Sequence, residues 1–323
     1  FISIMLAMSS ALVIPLLRSG SRALDLIRGV QAAVAAGSAC LLWSLSQAGE
    51  SISFQMGHFP SPWGNMLRAG PLEALLALTF STVMLLSLTG GGQELKKAME
   101  SGQLKWYCLL MQLLYGALLA MVYTDDLFTA YVFVEIGAVP ACIAVAAKES
   151  GRSIVSAIRY LIFSCLGSGL ILLGISILYN ITGQLLFDGL ESAVADLVTR
   201  REYLLPLVVS ALLMTLGLSI KSAQFPFHAW LPDAHASTFT ASSAILSGLV
   251  LKGYLVIILK LILRVFGQSL LVSVCIDDLL FLLGLAGMLY ASVSALRQEE
   301  VKRMIAYSSS AQISYIFLAL GLG

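Results

Sequence analysis

The chain is predicted to be an all-α polytopic membrane protein, and three observations carry that prediction. Of its 323 residues, 59% are hydrophobic and only 11% are charged, whereas a soluble domain carries about 25% charged residues. Too little polar side chain remains to coat a water-exposed body of this size. Apolar runs long enough for a helix to cross a bilayer core of about 30 Å recur along the whole chain. Between them, the density of basic residues alternates from one connection to the next, the bias that sets orientation in a membrane.

Taken in order, the runs near 1–17 and 25–47 are joined by a segment with Arg18, Arg22 and Arg28. Residues 48–70, AGESISFQMGHFPSPWGNMLRAG, alternate apolar with small residues and then carry prolines and glycines, which suits a short external hairpin. Runs near 71–89 and 105–123 enclose Lys96, Lys97 and Lys105, and runs near 126–147 and 154–179 enclose Lys148 and Arg152. Residues 184–202 mix Leu, Val and Phe with acids and arginines, the pattern of an amphipathic segment on the membrane surface. Runs near 203–222 and 240–263 flank KSAQFPFHAWLPDAH, and runs near 271–296 and 303–323 enclose Arg297, Lys302 and Arg303. That makes ten helices. The alternate connections hold only Arg68, Arg200, Arg201 and Arg264, so the basic loops are expected to face the cytoplasm and the N-terminus the outside. Small residues at Gly167, Ser168, Gly169, Gly284 and Gly287 mark places where helices approach closely.

Several functions are disfavoured. A net charge of +1 gives no footprint for nucleic acid. The five cysteines are scattered without a CxxC pair and read as small buried hydrophobes, and the three histidines are spread along the chain, so no metal site is expected. No phosphate-cradling loop, cofactor fingerprint or nucleophile elbow appears, so no cofactor is expected and the chain alone is not read as an enzyme. No signal peptide is visible. The chain begins at Phe1 and stops at Gly323 within an apolar run, so it is expected to lack residues at both ends.

The informative residues are charges inside spans, each of which costs about 2.5–3.5 kcal/mol at mid-membrane. Glu135, in DDLFTAYVFVEIGAVP, lies ten residues after Asp125, about 15 Å down a helix and near the midplane, with Pro140 one turn on. Lys252 lies about 18 Å into its span, too deep to reach either surface. Lys260 and Arg264, nearer the outer edge, fit ordinary snorkelling. Lys221 ends its run where Pro226 and Pro232 break the helix. The segment that follows is too apolar for a cytoplasmic loop and reads as a broken helix at membrane depth, where ion sites are built. Burial moves a lysine toward neutral titration and a nearby carboxylate moves it back. His228 and His235 titrate near neutrality and either relay protons or serve as interfacial hydrogen-bonding groups.

Three stretches, DLFTAYVFVEI, KSAQFPFHAWLPDAHAS and LRQEEVKRMIAYSSSAQISYIFLALGLG, in this order and spacing, resemble the proton-conducting antiporter-like membrane subunits. These are shared by respiratory complex I, Mrp-type multisubunit sodium/proton antiporters and membrane-bound hydrogenases. The resemblance runs from about residue 55 to 323. It implies a fold of about fourteen helices with two inverted five-helix repeats and a broken seventh helix. On that frame, residues 1–104 are an N-terminal three-helix segment, 105–266 the first repeat and ion half-channel, and 267–323 the truncated start of the second repeat. The resemblance implies proton transfer by Glu135, Lys221 and Lys252, with Asp233 and His235 in its PDAH signature and Arg159 where the sixth helix often carries a lysine. His228 and Lys260 are further relay candidates.

The chain departs from the pattern in reading AHASTFTASSA after the break, with Phe239 and Ala241 at proline positions. An eighth helix that starts earlier or bends less is expected there. Gly70 replaces the usual acid, with Glu73 three residues on. The function expected is a non-redox subunit of an Mrp-type, complex I-like or hydrogenase-like complex, moving H+ or Na+ in a prokaryotic cytoplasmic membrane beside other membrane subunits. The alternatives are a stand-alone transporter of a small solute and a non-transporting scaffold.

Overall fold

The computed structural model describes residues 1–49, 51–56, 64–267, 270 and 276–322. Among these residues, twelve helices and one two-stranded sheet follow in order: α1 (Ile2–Val13), α2 (Gly20–Ala48), β1 (Ile52–Gln55), β2 (Met66–Ala69), α3 (Pro71–Ala98), α4 (Ser101–Tyr123), α5 (Leu127–Ala146), α6 (Gly151–Thr182), α7 (Phe187–Arg200), α8 (Leu204–Lys221), α9 (Leu231–Ser237), α10 (Thr240–Phe266), α11 (Ile276–Leu296) and α12 (Val301–Leu322). Nine of the described helices are long and apolar enough to cross a membrane, and the apolar helix at Ile2–Leu16 is shorter. The expected first span is therefore a helix to Val13 closed by a 3-10 turn at Ile14–Leu16. The ninth expected span is described from Ile276, and residues 271–275, with Cys275, lie outside the described residues.

Contacts divide the chain into two compact units, one of Phe1–Asp125, Val132–Ala157 and Ser237–Gly253, the other of Asp126–Tyr131, Ile158–Ala236 and Tyr254–Gly323. In the first unit, α2 starts at Ser19, whose hydroxyl accepts the Arg22 N–H, and stops at Gly49 in the left-handed region. The expected hairpin is an antiparallel pair with Ile52 opposite Ala69 and Gln55 opposite Met66; its tip, residues 57–63, lies outside the described residues, as does Glu50. Glu73 stands where it caps its own helix: its carboxylate accepts the Gly70 N–H at 2.9 Å. Helix α4 is the core of this unit, with buried residues from Met111 through Tyr123. Three of its polar side chains bond inside the unit, Tyr115 with Ser81 at 2.6 Å, the Gln112 amide nitrogen with Ser10 at 2.9 Å and Tyr107 with Ser242 at 2.8 Å.

In the second unit, α11 and α12 form an antiparallel hairpin. Gly284 faces the backbone of Leu318 and Gly321 that of Phe281, so closely that an added Cβ would collide. The segment expected to be amphipathic is the helix α7, which buries Phe187, Leu190 and Val194 and leaves its acids exposed. Asp188 of α7 accepts from Arg264 of α10 at 2.6 Å. Helix α10 starts at Thr240, directly after Phe239, and widens into π turns at Leu246–Val250 and Leu261–Phe266.

Candidate functional site

Helix α8 ends at Lys221 because the chain beyond it cannot continue the ladder. Ser222 still donates to Leu218 at 2.8 Å, but Ala223 turns to a φ of 57° and Gln224 donates back to Ser219 at 3.0 Å. Pro226 has no N–H to offer. It stands ahead of a single 3-10 turn, Phe227–Trp230, after which α9 begins with Pro232 in its first turn, a position where proline is tolerated. The break therefore lies at Ser222–Pro226.

The Lys221 side chain is enclosed, with 2% of the residue exposed. Its ammonium donates to the Ser164 hydroxyl of α6 at 2.9 Å and stands 5.7 Å from the centre of the Tyr254 ring. The Tyr254 hydroxyl is 3.4 Å from that of Tyr160, whose ring packs edge-on against Trp230 at 4.8 Å. Trp230 in turn donates to the Ile220 carbonyl at 3.4 Å. An aromatic wall thus runs from the break back to the lysine. The close approach of α6 and α8 depends on two glycines: a Cβ at Gly167 would lie 2.7 Å from the Gly217 oxygen and 3.0 Å from Cγ of Lys221.

The remaining sequence-predicted residues fall as follows. In the first unit, Glu135 is half-buried on α5, and Lys252 is partly buried on α10 with its ammonium donating to the Ser247 carbonyl at 2.7 Å. That acceptor lies in the π turn, where a widened backbone spreads its carbonyls. In the second unit, His228 and His235 are both buried. The His228 ring stacks on Phe225 at 5.7 Å and packs against Tyr290 at 4.9 Å. Arg159 and Asp233 are brought together as an ion pair at 2.7 Å, and Arg303 joins the same carboxylate at 2.6 Å. Lys260 is buried and stands 6.0 Å from the Phe187 ring centre, so it packs under α7 where snorkelling was expected.

Sequence reasoning missed Ser164, Tyr254, Tyr160, Trp230 and Arg303, because their roles arise from contacts between segments far apart in the chain. One signal was available: Ser164 and Gly167 are one turn apart, a small polar face on an otherwise greasy helix. A cavity of about 610 Å³ in the first unit is lined by α1, α2 and the hairpin, almost wholly by apolar groups with Arg68, and holds none of the predicted site residues.

Among the described residues, nine apolar spans, with an enclosed lysine at the point where one of them unwinds, define an integral multi-pass membrane protein. The chain belongs to the NADH:quinone oxidoreductase/Mrp antiporter transmembrane family, whose pattern matches residues 124–323. It is 34% identical over 293 residues to NADH-quinone oxidoreductase subunit N of Desulforudis audaxviator, covering 90% of this chain and 57% of that protein. With a Na(+)/H(+) antiporter subunit of Alkalihalophilus pseudofirmus it shares 32% identity, over 78% of this chain and 30% of the other. In fold it is similar to a chain of the membrane-bound sulfane sulfur reductase, an archaeal respiratory membrane complex, at a TM-score of 0.85 and 27% identity, covering 99% of this chain and 64% of that one. It also shares its fold with a chain of the Mrp complex from Dietzia sp., at a TM-score of 0.86 and 19% identity, covering 100% and 59%. The chain thus spans 57% and 30% of the two curated relatives, and those relatives are named as subunits.

Proposed function

We propose that this chain is the proton-translocating membrane part of a multisubunit complex, with Lys221 as the group that takes up and releases the proton. The observation that carries this reading is the enclosure of the Lys221 ammonium, 2% exposed, against a serine hydroxyl and an aromatic face at a helix break. Enclosure away from water disfavours an ammonium, and a carboxylate nearby favours it. A carboxylate that is protonated or moved therefore switches a buried lysine between holding and releasing its proton. Glu135 is the carboxylate we assign to that task, with Lys252 as the next carrier and His228 and His235 as relays. Residues 105–266 would make up the half-channel. The relatives named as subunits of an NADH-quinone oxidoreductase and of a Na(+)/H(+) antiporter support transport of H+ or Na+ beside other membrane subunits; we assign the chain to a prokaryotic cytoplasmic membrane, with the N-terminus outside on the basic bias of its alternate connections.

The test is Lys221→Ala in the assembled complex, reconstituted in vesicles with a pH-sensitive dye. Proton uptake is expected to collapse while the subunits still co-purify. Uptake at the parent rate would remove Lys221 from the path, and uptake by the single protein without partners would favour a stand-alone transporter.

A further inference from the structure

The break beyond Lys221 is held from outside its own helix. Ala223 offers its carbonyl to the Ser310 hydroxyl of α12 at 3.2 Å. The next residue, Gln224, has a fully buried side chain. Its amide nitrogen donates to the Leu283 carbonyl of α11 at 3.1 Å, and its amide oxygen accepts at 3.1 Å from the Ser314 hydroxyl of α12, which shares its single proton with the Ser310 carbonyl at 2.9 Å. Only this orientation of the amide serves both neighbours. Turned over, its oxygen would face the Leu283 oxygen, two acceptors with no proton between them. Gly287, one turn beyond Leu283, makes the room: an added Cβ would press on the Ser314 hydroxyl and lie 2.8 Å from Cβ of Phe225 and 3.2 Å from Nε2 of Gln224.

We propose that Gln224 and Ser314 form a latch by which the α11–α12 hairpin positions the break, and through it Lys221. They are positioning residues, and the proposal rests on Lys221 being the proton carrier. The latch grips the chain three residues past the lysine, with Ser222 still bonded into α8, so the break and the lysine backbone move as one piece. A buried amide between a hydroxyl and a carbonyl is either bonded or orphaned, and the orphaned state is costly. A shift of the hairpin therefore carries the break with it instead of letting it slip, giving a discrete mechanical link from the hairpin to the lysine.

The experiment compares Lys221→Ala, Gln224→Met, Ser314→Ala and the Gln224→Met/Ser314→Ala double variant in the assembled complex, by proton uptake into vesicles. Met keeps the length and bulk of the glutamine and removes both bonds, so a merely space-filling role leaves its rate at the parent value. The latch predicts that Gln224→Met and Ser314→Ala each slow uptake about fivefold. It also predicts that the double variant is no slower than the worse single one, because both substitutions open the same link. Should Gln224→Met fail to assemble, Ser314→Ala alone decides by the same criterion. Uptake at the parent rate in these variants, with Lys221→Ala dead, overturns the latch. Uptake persisting in Lys221→Ala instead overturns the reading on which the latch rests.

Discussion

Gly167→Ala adds a single methyl group and touches no titratable atom, yet it should disable Lys221. The new Cβ would lie 2.7 Å from the Gly217 carbonyl oxygen, while ordinary contacts begin at 3.4 Å, a shortfall of 0.7 Å. The obstructing atom is backbone, so α6 and α8 must part. Overpacking of this kind costs about 1–3 kcal/mol, against a gain of about 0.5–1 kcal/mol when Ala replaces Gly inside a helix. A net loss of about 0–2.5 kcal/mol of stability follows. The consequence for the lysine is larger. Its bond to Ser164 spans those same two helices at 2.9 Å. If the displacement is passed on whole, that distance grows to about 3.6 Å, outside hydrogen-bond range. A hydrogen bond from a charged group contributes about 1.5–3 kcal/mol, so transport should fall by about tenfold or more. The control lies on the same helix: a Cβ at Gly169 meets nothing within 4 Å, so Gly169→Ala should leave proton uptake at the parent value and hold or slightly raise the melting temperature. If Gly167→Ala transports as Gly169→Ala does, the close approach of α6 and α8 does not position Lys221.

Two further outcomes are expected. Ser164→Ala removes the hydroxyl that receives the Lys221 ammonium without moving a helix, so proton uptake should drop by about tenfold with little change in assembly, as measured by dye quenching and co-purification. Asp233→Asn unties Arg159 from Arg303, but these partners are partly exposed, with side-chain accessibilities of 56% for Arg159 and 33% for Arg303. Its cost should be about 0.2–1 kcal/mol and should shrink in high salt, which a melting curve at two ionic strengths would show; a large, salt-independent loss would mean the cluster is a buried element of the path.

Much of the scaffold was legible because hydropathy reports burial in lipid directly. The runs near 71–89 and 154–179 lie within α3 and α6, and the break after Lys221 was visible because Pro226 lacks an N–H whatever surrounds it. What escaped was whatever depends on a second segment. Nothing local to ASSAILSGLVLKGYL distinguishes an α turn from the π turn at Leu246–Val250. Lys260 was legible as a charge near a helix end, but its burial depends on the Phe187 ring, supplied more than seventy residues earlier in the chain. Arg159 and Asp233 were legible as unusual charges, while the third member, Arg303, looked like one more basic residue in a loop. Gln224 was hidden in a motif whose proline, histidines and lysine drew the eye.

The π turn in α10 has a consequence for hydration. There the Ser247 carbonyl, inside an apolar span, accepts from the Lys252 ammonium at 2.7 Å. An ammonium held in this way cannot swing off into a dry interior: water or another acceptor must take up its N–H groups as it goes. Movement of that lysine and wetting of its helix are therefore one event.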